Sequence, residues 1–243
     1  FQEPWGIAVA PNGNVYVADT WNHRIQYFDP NGQFLGKWGK LGDAKGRTDT
    51  DQGIFWGPRA VAINAAGEVY VTDTGNKRVQ VFDLQGNFKR MFGGEGSAPG
   101  QFREEVGVKL DKDGNVWVAD SWNSRVQKLD PNGQPLLQVP VQPGWESQNV
   151  ANKPYLAVDG AGHIVVSYPE QGRLLVLDTS GAQVKDVPLD GSAHLTPAIR
   201  QYFGDSRGHW EGDTLVVDVT NFPTTMINYR GAGGSLHLVE RFR

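Results

Sequence analysis

Asp19, Asn22, His23 and Arg24 fall within six residues, with Trp21 between them. A carboxylate, an imidazole and a guanidinium that close are the ingredients of acid–base chemistry or of a metal site. The same stretch returns, however. Asp73, Asn76 and Arg78, then Asp120, Asn123 and Arg125, repeat three of the types at the same spacing. A catalytic group is needed once, whereas a structural one is needed in every unit. Asp19, Asn22, Arg24 and their copies therefore read as structural. Each Asp, ending a strand, is expected to accept hydrogen bonds from backbone amides of the link after it, and each Arg to bridge neighbouring loops. What does not repeat is where function is sought: His23, and Trp21, which recurs as Trp122 but gives way to Gly75. An exposed indole beside polar groups can stack on a sugar or anchor a peptide; it can equally cover a neighbour's apolar edge. Trp56 and Trp145 carry the same two readings.

A second set enters the inner strands. Glu3-Pro4-Trp5, Gly57-Pro58-Arg59, Glu104-Glu105-Val106 and Lys153-Pro154-Tyr155 keep one place in the repeat while changing chemistry. Trp5, Arg59, Glu105 and Tyr155 are expected to line a pocket mouth of mixed charge and aromatic walls, unless Arg59 and Glu105 simply pair. The histidines His23, His163, His194, His209 and His237 occupy no common register, which argues against a zinc site built from several repeats. Lys37, Lys40, Lys45 and Arg47 are offset by Asp43, Asp49 and Asp51, as in a solvated loop, and His209, Glu211 and Asp213 read as an acid-rich turn. No Ser–His–acid set, P-loop, HExxH or dinucleotide fingerprint is present. The expected metal set is none.

The elements that must position these residues follow from the repeat. Asp19, Asp73 and Asp120 correspond, and Tyr168 and Asp218 stand at the same place in two weaker copies, at spacings of 54, 47, 48 and 50. Arg173 continues the arginine column; the fifth copy has none in register. Periods of this size mark repeat architectures. In the first copy, Ile7–Ala10, Val15–Ala18, Arg24–Asp29 and Phe34–Trp38 read as strands separated by Asn-Gly turns and a short link, the turn residues being those that tolerate positive φ. Apolar runs at Val15–Val17, Val69–Val71, Val116–Val118 and Ile164–Val166 suit strands covered on both faces. One meander cannot cover itself, so the copies must stack. The expected fold is all-β, a β-propeller of four-stranded antiparallel blades with five readable units, either five-bladed or six-bladed with one blade absent. Within a single domain the blades fall at about 4–39, 57–93, 104–139, 153–187 and 200–243, with any fusion seam near 190. Tight turns occupy one end; long loops, the usual place for binding, occupy the other.

With 243 residues, 39% hydrophobic and 21% charged, and no apolar run long enough to span a bilayer, the chain reads as globular without membrane insertion. A net charge of −4 disfavours nucleic acid as partner. The absence of cysteine excludes disulfides and thiolate sites. Phe1-Gln2-Glu3-Pro4 enters in mid-pattern, as a segment of something longer would.

The runs Asn22-His23-Arg24-Ile25-Gln26-Tyr27-Phe28-Asp29-Pro30-Asn31-Gly32, Asn76–Asp83 and Asn123–Asp130 resemble NHL repeats. The resemblance covers residues 4–187 and is strongest over 4–139. Residues 202–218 resemble instead a motif of uncharacterised exported bacterial proteins. The NHL resemblance implies a propeller of five or six blades that binds protein, carbohydrate or RNA, and in a minority of members carries a metal-assisted site. Together the two resemblances imply an exported or cell-surface setting. The expected function is a non-catalytic binding or scaffold propeller presenting its long-loop face to a protein or glycan, with Trp21, Trp122, Arg59, Glu105 and Tyr155 as candidate contacts. The alternative is a metal-assisted hydrolase or lyase in the central channel. No cofactor is expected beyond a channel calcium held by oxygen ligands. Residue types leave the oligomeric state open.

Overall fold

The computed structural model describes residues 1–44, 51–141, 145, 153–189, 193, 205–220 and 237–242. Lys45, Arg47, Asp49, His194, the seam near 190 and parts of the fifth unit lie outside them. The described residues fall into two units, Phe1–Gly162 and His163–Arg243.

In the first unit three antiparallel meanders follow one another. They are β1 (Pro4–Val9) to β4, with β2 at Val15–Asp19, β3 at Arg24–Phe28 and β4 at Phe34–Trp38. A short parallel pair, β5 (Lys40–Leu41) and β6 (Ile54–Phe55), sits in the connection to the next blade. That blade holds β7 (Pro58–Ile63), β8 (Val69–Asp73), β9 (Arg78–Phe82) and β10 (Phe88–Gly93). The third holds β11 (Glu105–Leu110), β12 (Val116–Asp120), β13 (Arg125–Leu129) and β14 (Pro135–Pro140). Each sheet takes its strands in chain order. β15 (Leu156–Val158) ends the unit.

The consecutive apolar residues of the second strands do what two-sided burial requires. Val69 and Val71 join Tyr16, Ile25 and Phe55 in one core cluster, while Tyr70, between them, joins Val108, Val116 and Leu129 in the next. Successive side chains of a strand point to opposite faces, so β8 is sandwiched between the first and third blades. Phe55 and Phe102 also belong to these clusters although both precede the repeat boundaries read from sequence. Gly39 and Gly93, at φ 105° and 114°, receive them: a Cβ at either would come within 2.8 Å of the ring.

The second and third strands of each blade are joined by one 3-10 turn, at Thr20–Asn22, Thr74–Asn76 and Ser121–Asn123. The next residue, His23, Lys77 or Ser124, takes the left-handed conformation at φ 52°, 58° and 49°. These turns and the connections between blades share one end of the sheets, which is called the looped end below.

The second unit holds β16 (Ile164–Tyr168), β17 (Arg173–Leu177) and β18 (Gln183–Pro188), then the antiparallel sheet of β19 (Asp205–Glu211), β20 (Thr214–Thr220) and β21 (Leu238–Phe242). Val176, Val187, Leu215, Val217 and Val219 form its apolar cluster. The architecture is all-β, with four-stranded antiparallel blades of the propeller kind.

Candidate functional site

The repeated Asp is the centre of each blade's looped end. Asp73 accepts Arg78 Nε–H at 2.8 Å, the Asn76 amide at 2.9 Å and Gln80 Nε2–H at 3.0 Å, and the Trp56 backbone N–H at 2.7 Å. Asp19 gathers Arg24, Asn22, Gln26 and the Gln2 N–H in the same way, and Asp120 gathers Arg125, Asn123, Gln127 and the Arg103 N–H. The expected bonds from link amides are not those formed, since none of these carboxylates caps its 3-10 turn. The donors are side chains three, five and seven residues on, and the amide of the segment entering the first strand. The glutamine is a member of the set that the repeat contained but spacing alone left unread. Depth changes the electrostatics of this common geometry. At Asp73 burial outweighs the Trp56 amide, Arg78 and Asn76, so its carboxyl sits above the ordinary value. At Asp19 burial also pushes upward, but the Gln2 amide, Arg24 and Asn22 win and hold it below.

The guanidinium groups bind the connections between blades. Arg78 Nη2 donates to the carbonyls of Asp51 and Ile54 at 3.1 Å each, and Arg125 to those of Ser97, Ala98 and Gln101. The residue after the Asp ties one blade to the next: Thr20 Oγ1–H donates to the Pro58 carbonyl at 2.8 Å, Thr74 Oγ1–H to that of Glu105 at 2.6 Å. In the second unit Tyr168 replaces the Asp, and Arg173 lies over the Tyr168 ring at 5.0 Å while pairing with Asp186 of β18 at 2.8 Å. The acid has moved two strands outward, from the place of Tyr168 on β16 to β18.

Each of the first three blades also holds one tryptophan at the looped end. Trp21 and Trp122 come from the 3-10 turns and Trp56 from the segment before β7, with exposures of 41%, 43% and 43%. Gly75 explains the alternation. Its N–H donates to the Trp56 carbonyl at 2.8 Å, and a Cβ there would lie 2.5 Å from Trp56 Cγ, so the turn and the loop cannot both carry bulk. Trp21 Nε1–H donates to Glu3 at 2.8 Å. Trp122 has Lys77 Nζ 5.5 Å and Lys153 Nζ 5.9 Å from its ring. Trp145, the other loop indole, is buried. His23 accepts the Gly57 N–H at Nδ1, 3.1 Å away, and burial lowers its pKa; it is a neutral acceptor between blades.

At the first strands, Trp5 and Tyr155 line one cavity of about 190 Å³, and Arg59 stacks over Trp5 at 4.1 Å. Glu105 does not join them. The pairing Pro4↔Asp19, Pro58↔Asp73 and Glu105↔Asp120 puts it in register with the two prolines, one place before Trp5 and Arg59, next to a bulge. It is fully buried, with no hydrogen-bond partner on either carboxyl oxygen among the described residues, and burial raises its pKa well above the ordinary carboxylate value. It makes no hydrogen bond to Arg59, whose Nη1 is also buried without a partner. Arg59 and Glu105 thus interact electrostatically, the nearby acids favouring the Arg59 charge against the burial that lowers its pKa, but they form no hydrogen-bonded pair. Glu104 takes the ionic role that sequence did not assign, pairing with Lys153 at 2.7 Å and accepting Ser121 Oγ–H at 2.5 Å. Among the described residues no three His, Asp or Glu side chains come together as a metal-holding group.

The NHL repeat profile matches residues 1–28, 55–82 and 106–129, the inner strands and Asp–Asn–Arg turns of the three blades. Among curated proteins, the chain is 34% identical over 94 residues to the Drosophila melanogaster protein brain tumor, covering 38% of this chain and 8% of that one. It is 35% identical over 97 residues to the human E3 ubiquitin-protein ligase NHLRC1, covering 40% and 23%. The match thus spans less than a quarter of either relative. Among solved structures, the virginiamycin B lyase of Staphylococcus aureus aligns with a TM-score of 0.57 at 13% identity over 99% of this chain and 69% of that one. A protein of unknown function from Bacteroides caccae aligns at 0.55 and 17% identity over 88% and 70%. At such identities the likeness is one of fold. The repeated Asp–Asn–Arg turns, the blade geometry and the three profile matches agree: the first three blades, within residues 1–129, are NHL repeats.

Proposed function

We propose that the chain is a non-catalytic binding module that presents its looped end to a protein. The observation that carries this is the row of half-exposed indoles, Trp21, Trp56 and Trp122, one from each of three successive blades on a scaffold whose other polar groups are largely consumed in holding the blades. Tryptophan concentrates binding energy at protein interfaces, where a rigid ring can be buried at little conformational cost. Exposed indoles between lysines, as at Trp122, would meet a partner with apolar and acidic side chains. The family likeness to proteins such as NHLRC1 favours a protein over a glycan. No observation favours the metal-assisted alternative over this reading.

The test is selection of a displayed peptide library, alongside a glycan array, on the immobilised chain and on its Trp21→Ala and Trp122→Ala variants. Enriched peptides that lose at least tenfold in affinity for either variant support the reading. Peptides that bind all three proteins alike remove the looped end from the proposal, and capture of glycans alone replaces the protein with a sugar.

A further inference from the structure

Within the reading of the looped end as a peptide-binding surface, we propose that the cleft between the first strands, at Trp5, Arg59 and Tyr155, binds a carboxylate carried on an apolar group, as found at a peptide's free C-terminus or on an acidic side chain.

The guanidinium is a permanent cation with a fork of donors matched to a carboxylate. Arg24, Arg78, Arg90, Arg125 and Arg173 each have a carboxylate oxygen 2.8–2.9 Å away. Arg59 has none. One face rests on Trp5 at 4.1 Å, and its buried Nη1 donates to nothing. Leaving such a donor without an acceptor is costly, and a bound acceptor recovers that cost. Burial lowers the Arg59 pKa while Glu104 and Glu105 favour its charge from a distance, but neither accepts its hydrogen bond: Glu104 is occupied by Lys153 and Ser121, and Glu105 is sealed from solvent and held toward its neutral form by burial.

The cavity beside Arg59 supplies the rest. Its walls include Trp5, Ile7, Val61, Val108 and Leu156, with Tyr155 at 48% exposure, and no acidic residue lines it. One cation does: Lys109, whose pKa burial lowers and which forms no hydrogen bond or ion pair among the described residues; Arg59 lies behind the Trp5 wall, on which it stacks. About 190 Å³ of mostly apolar space suits one aliphatic or aromatic side chain. A guanidinium stacked on one wall of an apolar cavity, with no carboxylate in hydrogen-bond contact among the described residues, suits a ligand with an anionic head and an apolar body. The repeat explains why the site occurs once. Val106 fills the Arg59 place in the third blade and Trp5 fills it in the first.

The experiment is NMR titration of the ¹⁵N-labelled chain, following the Trp5 indole N–H. Three probes are used: N-acetyl-leucine, with a terminal carboxylate; N-acetyl-leucinamide, the same body without charge; and N-acetyl-aspartyl-leucinamide, with a side-chain carboxylate. A saturable shift is expected with at least one acid, at least tenfold tighter than with the amide, and the better acid identifies the source of the carboxylate. Arg59→Met should lose that tenfold and Arg59→Lys part of it, while Trp122→Ala keeps it. Equal response to acid and amide in the unsubstituted chain overturns the site, even if Arg59→Met fails to fold. So does wild-type affinity in a folded Arg59→Met. If selected peptides need Trp21 or Trp122 but neither acid shifts Trp5, this site falls while the binding-module reading stands; saturable acid binding with no partner needing the indoles does the reverse.

Discussion

The Asp73 carboxylate accepts Arg78 Nε–H at 2.8 Å with neither side chain exposed, whereas Arg24, in the same bond to Asp19 one blade earlier, is 26% exposed. Removing one partner of a buried pair leaves the other charge unpaired, at a cost of about 3–5 kcal/mol. Asp73→Ala is expected to cost that much. Asp19→Ala should cost clearly less, because water reaches Arg24. Urea denaturation of the two variants checks the ranking, and equal losses would show that depth does not set the strength of the repeated turn.

Gly75 predicts a second, purely steric effect. A Cβ at this position meets Trp56 Cγ at 2.5 Å and the Trp56 carbonyl oxygen at 2.6 Å. Gly75→Ala should therefore destabilise by about 1–3 kcal/mol, as overpacking does. Adding Trp56→Ala should recover only part of the loss, because the carbonyl contact survives removal of the indole. Thermal melting of the single and double variants measures both quantities; full recovery would place the clash in the side chain alone.

These two cases mark what was legible in the sequence. The blade was readable because its determinants are local: Asn-Gly turns, apolar runs and an Asp–Asn–Arg turn that recurs with the blade. The partners of Asp73 lie within seven residues of it, apart from the Trp56 amide. The row of indoles was only half readable, since Trp56 substitutes for a turn tryptophan from nineteen residues upstream of Gly75, and only the packing relates them. Glu105 stands fifteen residues before Asp120, as Pro4 and Pro58 stand before Asp19 and Asp73, and each first strand carries a bulge at that point; its place was in the spacing, whereas its full burial depends on packing between blades that no local pattern shows. The Glu104–Lys153 pair joins residues 49 apart, beyond any local pattern.

Glu105 carries a pH-dependent prediction. Its pKa is raised in the folded chain, first by burial. A group whose folded pKa lies above its unfolded value contributes stability fully below the unfolded value, about 4.3 for glutamate, and loses it as pH rises through the folded value. Glu105→Gln removes the titration while keeping the shape. Relative to the unsubstituted chain, the variant should gain stability as pH rises above about 4.3, levelling off once the folded value is passed. Urea midpoints across that range test it, and a difference independent of pH would mean that Glu105 is ionised when folded.

The opposite sign is expected at Glu68, on the tight-turn end. Arg90 Nη1 and Nη2 donate to its two oxygens at 2.8 and 2.9 Å, Arg90 Nη2 also reaches the Tyr70 hydroxyl at 2.7 Å, and Arg90 Nε donates to the Pro131 carbonyl of the next blade at 2.9 Å. The Arg90 hydrogen bonds, with Lys89 and Asn64, hold the Glu68 carboxyl far below the ordinary range, and burial raises the Tyr70 hydroxyl to about 12. A depressed carboxyl contributes stability that is present above its unfolded value and fades as pH falls toward the folded one. Glu68→Gln should cost about 1.5–3 kcal/mol at pH 7, the worth of a charge-assisted hydrogen bond, and the cost should shrink between about pH 4.3 and pH 3. Arg90→Met should cost at least as much at pH 7, because it also strips the Pro131 carbonyl of its donor and unties the second blade from the third. Denaturation of both variants at pH 7 and pH 3 decides the point: a Glu68→Gln penalty undiminished at pH 3 would assign the effect to packing of the side chain rather than to its charge.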